Sequence, residues 1–210
     1  MILIGQYDSP FVRRVAVALR LYGFDYEHRP WSVFGDAARI AALNPLIRVP
    51  TLVTDDGEAL ADSAAILDWL DELAGPERAL IPRSGVERRH ALKICALASG
   101  LADKAVSLVY ERVIHDRSTD VWQARCREQI AGVLDALEAD RSSREPWWAG
   151  ASPGHPDIAV ACVLRFLSEA HPDVFDPARW PSLAAHARTC EALPAFEAVT
   201  QPFLVPPPQP

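Results

Sequence analysis

Residues 6–14 read QYDSPFVRR and lie between a short apolar run, Ile2–Ile4, and a segment with helical periodicity. Ser-Pro at such a junction is a typical helix start, because proline suits the first helical position and the serine hydroxyl accepts the amide hydrogen of Phe11 or Val12. Capping uses an acceptor lone pair and leaves the donor hydrogen of Ser9 free. The stretch therefore predicts a strand, a turn and a helix, with Ser9 as both cap and candidate catalytic hydroxyl.

The segment that follows has the spacing of an amphipathic helix. Apolar residues recur at helical intervals from Phe11 to Tyr22, and Gly23 is a typical helix end. Arg13 and Arg14 fall outside this apolar face. The pattern therefore predicts one helix packed on the strand that precedes it.

The remainder of the first 75 residues alternates between strand and helix signals. We expect a second strand, a short helix, two strands flanking a turn of sequence DDGE, and a further amphipathic helix. These segments are, in order, Asp25–Arg29, Asp36–Leu43, Thr51–Thr54, Ala59–Leu60 and Ser63–Leu73. The order β-α-β-α-β-β-α predicts a small mixed sheet with helices on its faces.

Beyond a linker that ends near Gly85, strand signals largely disappear. Four helical patterns predict an all-α domain. They run over Val86–His115, Asp120–Asp140, His155–Ala170 and Ser182–Ala192. Residues 1–76 and 86–205 are therefore expected to form two domains, followed by a Pro-rich tail at 206–210. Gly154 is the predicted N-cap of the third helix, with Asp157 placed to reach back to a free amide.

Composition limits the classes of function. The 210 residues carry a formal net charge of −7, which argues against nucleic acid as the main partner. The four cysteines lie in apolar stretches and are expected in the core, and the six histidines have no metal-site spacing, so we predict no metal. No signal peptide or membrane span is expected, so a cytoplasmic location is the default.

A second candidate stretch is NPLIRVPTL at residues 44–52, in which Pro50 precedes a predicted strand. A trans proline at a strand start is the commoner arrangement. If the Val49–Pro50 bond is cis, the turn exposes the amide and carbonyl of Val49. A short extended peptide would then pair with them as an added strand pairs with a sheet edge.

A third candidate is the pair Asp62–Ser63 in ADSAAI, at the start of a predicted helix. By local pattern both are helix caps. The same helix start also offers the Ser63 amide and hydroxyl to a carboxylate. Asp62 is in turn suited to pair with an ammonium group.

Taken together and in this order, these stretches resemble the glutathione transferases. SPFVRR is similar to the S-P-F-x-x-R helix start of serine-type classes, particularly the tau-like pattern. The resemblance as a whole is to a serine-type, tau-, zeta- or omega-like bacterial member of the family. NPLIRVPTL resembles the N-P-x-x-x-V-P-x-L segment with its cis proline. ADSAAILDWLDE resembles E/D-S-x-x-I-x-x-Y-L. The resemblance covers nearly the whole chain and implies a thioredoxin-like N-terminal domain, an all-helical C-terminal domain and a homodimer.

The resemblance also implies an activity, the conjugation of glutathione to small hydrophobic electrophiles. Ser9 would stabilise the thiolate, and the main chain of Val49, before Pro50, would pair with the cysteinyl backbone. Asp62 and Ser63 would hold the γ-glutamyl end.

Further residues have less certain parts in this scheme. Arg48 would meet the glycyl carboxylate, although a solvated arginine is an equal alternative. Phe11 and Tyr110 are candidates for the electrophile pocket, or else core residues. Tyr7, two residues before Ser9, is the alternative activating group.

Other readings of the resemblance stay open. Omega and related thiol-transfer classes carry a cysteine at the position of Ser9. The absence of a cysteine there in this chain argues against chemistry through a mixed disulfide on the enzyme. Zeta-type isomerases usually show a serine-cysteine cluster at the first helix start, which this chain lacks. The alternatives are a glutathione-dependent isomerase or reductase, or a non-catalytic interaction or stress protein.

Overall fold

The computed structural model describes residues 1–114, 119–144 and 146–205, and it begins with a four-stranded sheet in the order β2-β1-β3-β4. The strands are β1 (Ile2–Ile4), β2 (Glu27–Arg29), β3 (Thr51–Val53) and β4 (Ala59–Ala61). β1 pairs parallel to β2 and antiparallel to β3, and β3 and β4 form a hairpin. This is the mixed sheet that the element order predicts.

Three helices accompany the sheet: α1 (Pro10–Tyr22), α2 (Ala37–Ala41) and α3 (Ser63–Ala74). α1 begins after Ser9, whose hydroxyl accepts the Val12 amide, and ends at Gly23 in the left-handed region at φ 71°. Glycine adopts that conformation without steric cost. The predicted start and end of α1 are therefore confirmed.

The rest of the described chain is helical, as predicted. It contains α4 (Gly85–Val113), α5 (Asp120–Arg141), α6 (His155–Ala170), α7 (Pro181–Glu191) and the short α8 (Pro194–Glu197). The end of the first predicted long helix, His115, and the Pro-rich tail at 206–210 lie outside the described residues. The division of the chain between residues 76 and 86 falls between α3 and α4 and stays a prediction.

Helix α6 is the centre of the molecule. Its residues contribute both to the core of the helical part and to a second core that includes α1, α3 and β1. Cys126, Cys162 and Cys190 are buried in these cores, as expected, while Cys95 is only partly buried. No helix in the described ranges is long and apolar enough to cross a bilayer.

The start of α6 has the cap that its sequence predicts. Asp157 accepts the Gly154 amide at 2.9 Å and also the Trp148 amide at 3.1 Å. A Cβ atom at Gly154 would lie 2.6 Å from the Leu80 carbonyl oxygen. Close approach of the linker backbone is therefore the reason that glycine stands at this cap.

Arg13 and Arg14 lie outside the predicted apolar face of α1, yet both side chains are buried. Arg13 makes two hydrogen bonds to the Glu191 carboxylate, at 2.5 and 2.7 Å, and also donates to the carbonyls of Phe196 and Val199. Hydrophobic periodicity does not detect this ion pair. Arg13 thereby fixes α1 to the C-terminal helices.

A second polar contact, the Asp71 latch, joins α3 to α6. The latch consists of the Asp71 carboxylate and its hydrogen-bond partners Tyr22, the Leu80 amide and His155. His155 Nε2 lies 3.0 Å from both carboxylate oxygens. The relative position of the sheet and the helical part is therefore set by polar contacts as well as by apolar packing.

Candidate active site

Ser9 lies where β1 leads into α1. Its backbone is extended, at φ −68° and ψ 124°, and its Oγ accepts the Val12 amide at a long 3.4 Å. This contact uses an acceptor lone pair, so the hydroxyl hydrogen stays available to a ligand. Ser9 lines a cavity and stands at the N-terminus of α1, where partial positive charge favours an anion.

The cavity beside Ser9, called here the apolar cavity, has a volume of about 520 Å³. Its wall combines the turn before α1, the loop after β2, helices α4 and α6, and the C-terminal segment. Aromatic side chains dominate this wall: Phe11, Trp31, Phe34, Tyr110, Phe166 and Phe203. Asp8 and Arg48 are the charged residues among the described lining. An uncharged, flat molecule fits such a wall best.

A second, smaller cavity of about 160 Å³ adjoins it and is called here the polar cleft. Phe11, Arg48 and Val49 line both spaces, so the two are continuous at these residues. Pro50, Asp62 and Ser63 also line the polar cleft. The structure therefore brings the candidate residues from three separate stretches of sequence around one connected space.

Val49 has free main-chain groups in this space. The Val49–Pro50 peptide bond is cis. Within the described ranges, neither the amide nor the carbonyl of Val49 makes a backbone hydrogen bond. A Cβ atom at Gly5 would lie 2.8 Å from the Val49 Cβ, so only glycine lets this turn sit against the end of β1. The turn thus offers one donor and one acceptor to an extended peptide.

Asn44 holds this turn in place, a role that the sequence analysis missed. Its side-chain amide donates to the Arg48 carbonyl and to the Thr51 hydroxyl, each at 3.0 Å. Its side-chain carbonyl accepts the Leu46 amide at 3.0 Å. Asn44 is 1% exposed, so these bonds are shielded from water. Asparagine followed by proline at residues 44–45 is a local turn signal through which this role could have been found.

Asp62 and Ser63 cap α3 at the far end of the polar cleft. Asp62 accepts the Ala64 amide at 2.7 Å and has φ 70°, an uncommon conformation for a non-glycine residue. Backbone strain of this kind concentrates at binding sites. Its carboxylate is exposed to solvent, whereas Ser63 is buried. Both readings of the pair, cap and ligand contact, are compatible with this geometry.

Arg14, the arginine of the S-P-F-x-x-R motif, lies behind Ser63, and the sequence analysis assigned it no role. Its guanidinium donates to the Ser63 hydroxyl at 2.6 Å and to the Ser99 hydroxyl at 2.8 Å. Arg14 also lines the polar cleft. It is therefore a buried cation beside the cap of α3.

Arg48 and the two candidate aromatic residues lie around the junction of the cavities. Arg48 lies 3.5 Å from Asp103 on α4, and both side chains are more than half exposed. Such an exposed pair is weak and easily exchanged for a ligand carboxylate. Phe11 lines both cavities, and Tyr110 lines the apolar cavity, where its ring meets that of Phe34 edge-on at 5.6 Å.

Tyr7 is placed differently from Ser9. Its hydroxyl forms a hydrogen bond with the Tyr26 hydroxyl at 2.8 Å, and its ring stacks on His28 at 3.8 Å. Burial, followed by the Tyr26 bond, raises the pKa of Tyr7 far above its ordinary value. Tyr7 is not among the described residues that line either cavity. This environment favours Ser9 over Tyr7 as the activating group.

The C-terminal segment was also missed as part of the wall. The Leu204 amide donates to Asp8 at 3.2 Å, and the Phe203 amide donates to Glu169 at 2.6 Å. Phe203 and Leu204 thereby close one side of the apolar cavity. Burial raises the pKa of Asp8, partly offset by the bond from Leu204. No local sequence pattern predicts contacts between residues almost 200 positions apart.

Two family models match the chain. The model described as glutathione S-transferase, N-terminal domain, matches residues 3–78, and the model described as glutathione S-transferase, C-terminal domain, matches residues 120–189. Together they cover more than half of the sequence. The chain belongs to the glutathione S-transferase family.

Several known proteins and solved structures are similar to this chain. The chain is 37% identical to the uncharacterised GST-like protein YibF of Escherichia coli, over 80% of this chain and 82% of that protein. It is 29% identical to maleylacetoacetate isomerase of Pseudomonas aeruginosa, over 93% of each. A glutathione S-transferase structure from Methylobacterium radiotolerans, in complex with glutathione sulfonate, superposes with a TM-score of 0.87, at 30% identity and over 100% of this chain and 96% of that one.

No group of three or more His, Cys, Asp or Glu side chains in the described ranges is arranged to hold a metal ion. The polar groups that the described residues present to the candidate site are hydroxyl, carboxylate, guanidinium and main-chain groups.

Proposed function

We propose that this glutathione S-transferase joins the thiolate of glutathione to small, apolar, electrophilic substrates, with the Ser9 hydroxyl stabilising the thiolate. One observation carries the proposal. Ser9 and Val49 both line the apolar cavity, and Val49 continues from there into the polar cleft. A peptide bound along the cleft would therefore present its central residue next to Ser9.

Each part of glutathione has a matching group. Asp62 would pair with the ammonium of the γ-glutamyl end, and Ser63 would donate to its α-carboxylate. The free amide and carbonyl of Val49 would pair with the cysteinyl backbone. Arg48 would exchange Asp103 for the glycyl carboxylate. These assignments rest on the continuity of the two cavities and on the chemistry of the groups.

One hydroxyl can supply the stabilisation that the glutathione thiolate requires. A free thiol has a pKa of about 8.5, so only about 3% is ionised at pH 7. Lowering this pKa by about two units requires about 2.7 kcal/mol. A hydrogen bond to a charged acceptor contributes roughly 1.5–3 kcal/mol, and an exposed helix N-terminus up to about 1 kcal/mol. Ser9 therefore acts as a hydrogen-bond donor and no general base is needed.

The thiol proton passes to solvent when the thiolate forms. In the chemical step, the sulfur lone pair then forms a carbon–sulfur bond to the electrophile. The displaced bonding electrons leave with the leaving group, or move onto an adjacent acceptor atom in an addition. The electrophile lies in the apolar cavity, where aromatic rings such as those of Phe11 and Tyr110 contact its flat faces. Exclusion of water by this wall strengthens the interaction between Ser9 and the thiolate.

A glutathione-dependent isomerase is the second candidate, because relatives from Pseudomonas aeruginosa and Caenorhabditis elegans are named maleylacetoacetate isomerase or probable maleylacetoacetate isomerase. A substrate with two carboxylates needs cations around it. In the described lining of the apolar cavity Arg48 is the one cation, and Asp8 contributes an opposing carboxylate. The cavity therefore favours a neutral electrophile over an acidic substrate.

Two assays on the purified protein test the proposal. We expect retention on glutathione-agarose and turnover of a generic aryl halide, with little isomerisation of an acidic cis-enone. No retention would favour the alternative of a non-catalytic interaction or stress protein. Retention without turnover of the aryl halide would favour an isomerase or reductase. A homodimer and a role in detoxification stay predictions of the resemblance, and a cytoplasmic location stays a prediction of the sequence.

A further inference from the structure

Two buried arginines stand side by side on α1 and have contrasting partners. Arg13 forms an ion pair with Glu191, whereas within the described ranges Arg14 has no carboxylate within ion-pair distance. Burial opposes the charge of Arg13, but the bond to Glu191 outweighs it and raises the pKa. For Arg14, burial lowers the pKa. Attraction from Asp62 and Asp103 only partly offsets this burial. Arg14 is therefore a buried cation that forms no direct ion pair with a described residue.

The neutral hydrogen-bond partners of Arg14 connect α1, on which it lies, to two other helices. Its guanidinium donates to Ser63 on α3 and to Ser99 on α4, and Ser99 donates in turn to the Cys95 carbonyl. The Arg14 Nε atom is buried and has no hydrogen-bond partner in the described part of the chain. A buried cation with an unused donor is costly unless an anion comes to it.

The position of Arg14 shows where such an anion would bind. Arg14, Ser63 and Asp62 all line the polar cleft. Because the Ser63 oxygen accepts from Arg14, its own hydrogen is left to donate elsewhere. A cation, a directed hydroxyl and the carboxylate of Asp62 match the two charges of an α-amino acid group. Carboxylate binding would give Arg14 the opposite charge that it lacks.

We propose that Arg14 is a positioning residue for the γ-glutamyl end of glutathione. Its charge attracts the α-carboxylate, and its bond to Ser63 orients the hydroxyl that donates to that carboxylate. This inference rests on the proposed function, because it takes the ligand of the polar cleft to be glutathione. It adds to the mechanism a residue that never contacts the reacting sulfur.

The test is calorimetric titration of glutathione into the wild type, Arg14→Met, Ser63→Ala and the double variant. We expect Arg14→Met to raise the Kd at least about tenfold, the scale of a lost hydrogen bond to a charged group. The losses in the double variant should add up to less than the sum of the two single losses, because Arg14 acts partly by orienting the Ser63 hydroxyl. The KM for glutathione should rise by the same factor as the Kd, and kcat should change by a smaller factor.

A modified ligand separates positioning from a structural role. The probe is a glutathione analogue in which the γ-glutamyl α-carboxylate is an amide. Wild type should bind this analogue at least about tenfold more weakly than glutathione, and Arg14→Met should bind both equally. A purely structural Arg14 predicts the same preference for glutathione in both proteins. If Arg14→Met does not fold, Arg14→Gln, which is neutral but still donates hydrogen bonds, replaces it in the same comparison.

Arg13→Met is the matched control. It removes a buried arginine from the same helix and should lower the melting temperature, while the Kd for glutathione stays within about twofold. Equal glutathione binding by wild type and Arg14→Met would overturn the inference and leave the proposed function intact. Failure of the wild type to bind glutathione would instead overturn the proposed function, and the inference with it.

Discussion

The polar cleft and the apolar cavity share a boundary but are built in different ways. The cleft takes most of its wall from residues 44–64, with main-chain groups, helix caps and polar side chains facing its space. The apolar cavity combines six segments that range from residue 6 to residue 205, and large apolar side chains line it. One space suits a fixed polar ligand, and the other suits variable apolar molecules.

Because the two regions are built differently, we expect each of them to have a different part in catalysis. The cleft would fix the glutathione backbone through directed hydrogen bonds, which tolerate little change. The apolar cavity would hold the electrophile through contact area, which tolerates substitution at single positions. Ser9 lies on the apolar side and would act on the sulfur where the two meet. Changes to Ser9, to the cleft and to the cavity should therefore affect different kinetic constants.

The largest expected change in activity comes from Ser9→Ala. If the bound thiol returns from a pKa of about 6.5 to about 8.5, its ionised fraction at pH 7 falls roughly 25-fold. We expect conjugation at pH 7 to fall about 10- to 25-fold, with the Kd for glutathione little changed. The thiol ionises unaided at higher pH, so the loss should shrink near pH 9. Steady-state rates between pH 6 and pH 9 provide the measurement.

Ser9→Thr is the control for that variant, because threonine keeps both the hydroxyl and the helix cap. Its rate at pH 7 should stay within a few-fold of the wild type. An unchanged rate in Ser9→Ala would remove the catalytic role of this residue. The cap lost in Ser9→Ala costs about 1 kcal/mol of stability, so its melting temperature must be checked as well.

A second prediction concerns the Asp71 latch, which joins the two parts of the protein away from both cavities. Burial opposes ionisation of Asp71, but hydrogen bonds from His155, Tyr22 and the Leu80 amide outweigh it and lower the pKa. A depressed carboxylate pKa contributes stability that is present above the unfolded pKa of about 3.9 and is lost as pH falls through the folded value. Asp71→Asn should therefore cost about 1 kcal/mol or more at neutral pH.

Chemical denaturation between pH 6 and pH 3 measures this contribution. Wild type should lose stability more steeply than Asp71→Asn as the pH falls below about 4. Wild type and Asp71→Asn should have the same Kd for glutathione at pH 7. Parallel slopes in the two proteins would show that Asp71 is not the titrating group.

A third prediction tests the polar cleft. Asp62→Asn keeps a good N-cap residue and removes the negative charge. We expect the Kd for glutathione to rise about fivefold, the upper range for an exposed ion pair, with no change in the KM for the electrophile. Titration with glutathione and with a ligand that lacks the α-ammonium group measures the effect. If the variant still prefers glutathione to that ligand as strongly as wild type does, Asp62 does not bind the ammonium.

The smallest expected effect lies in the apolar cavity. Tyr110→Ala should raise the KM for an aromatic electrophile about threefold, since one partly exposed ring is lost from a wall of several. Tyr110→Phe keeps the ring and should leave this KM unchanged. Neither variant should alter the Kd for glutathione. A rise in the glutathione Kd with Tyr110→Ala would contradict the separation of the two regions.

The contrast between the polar cleft and the apolar cavity also explains how much the sequence alone could predict. Caps, proline turns and short apolar runs act over a few residues, so Ser9, Asp62 and the helix that begins at Ser63 could be found from local patterns. The burial and the role of Arg14, the arginine of the S-P-F-x-x-R motif, could not be predicted, because helical periodicity counts an arginine outside the apolar stripe as a surface residue. Its partners lie 49 and 85 positions further along the chain.

Tertiary packing is also the reason that the wall of the apolar cavity could be predicted only in part. Phe11 and Tyr110 were named as candidates on the basis of the family resemblance, and both line the cavity. Phe203 and Leu204 were not named, since their position depends on contacts with Asp8 and Glu169. Such contacts join distant segments and leave no periodic signal in the sequence.

The measurement that tests the central claim most directly is an ultraviolet absorbance titration of the thiol of bound glutathione, in the wild type and in Ser9→Ala. We predict that the thiol bound to wild type ionises with a pKa of about 6.5, and that the value in Ser9→Ala moves back toward about 8.5. A thiol that titrates at its ordinary value in the wild type, or at the same depressed value in both proteins, would contradict the account.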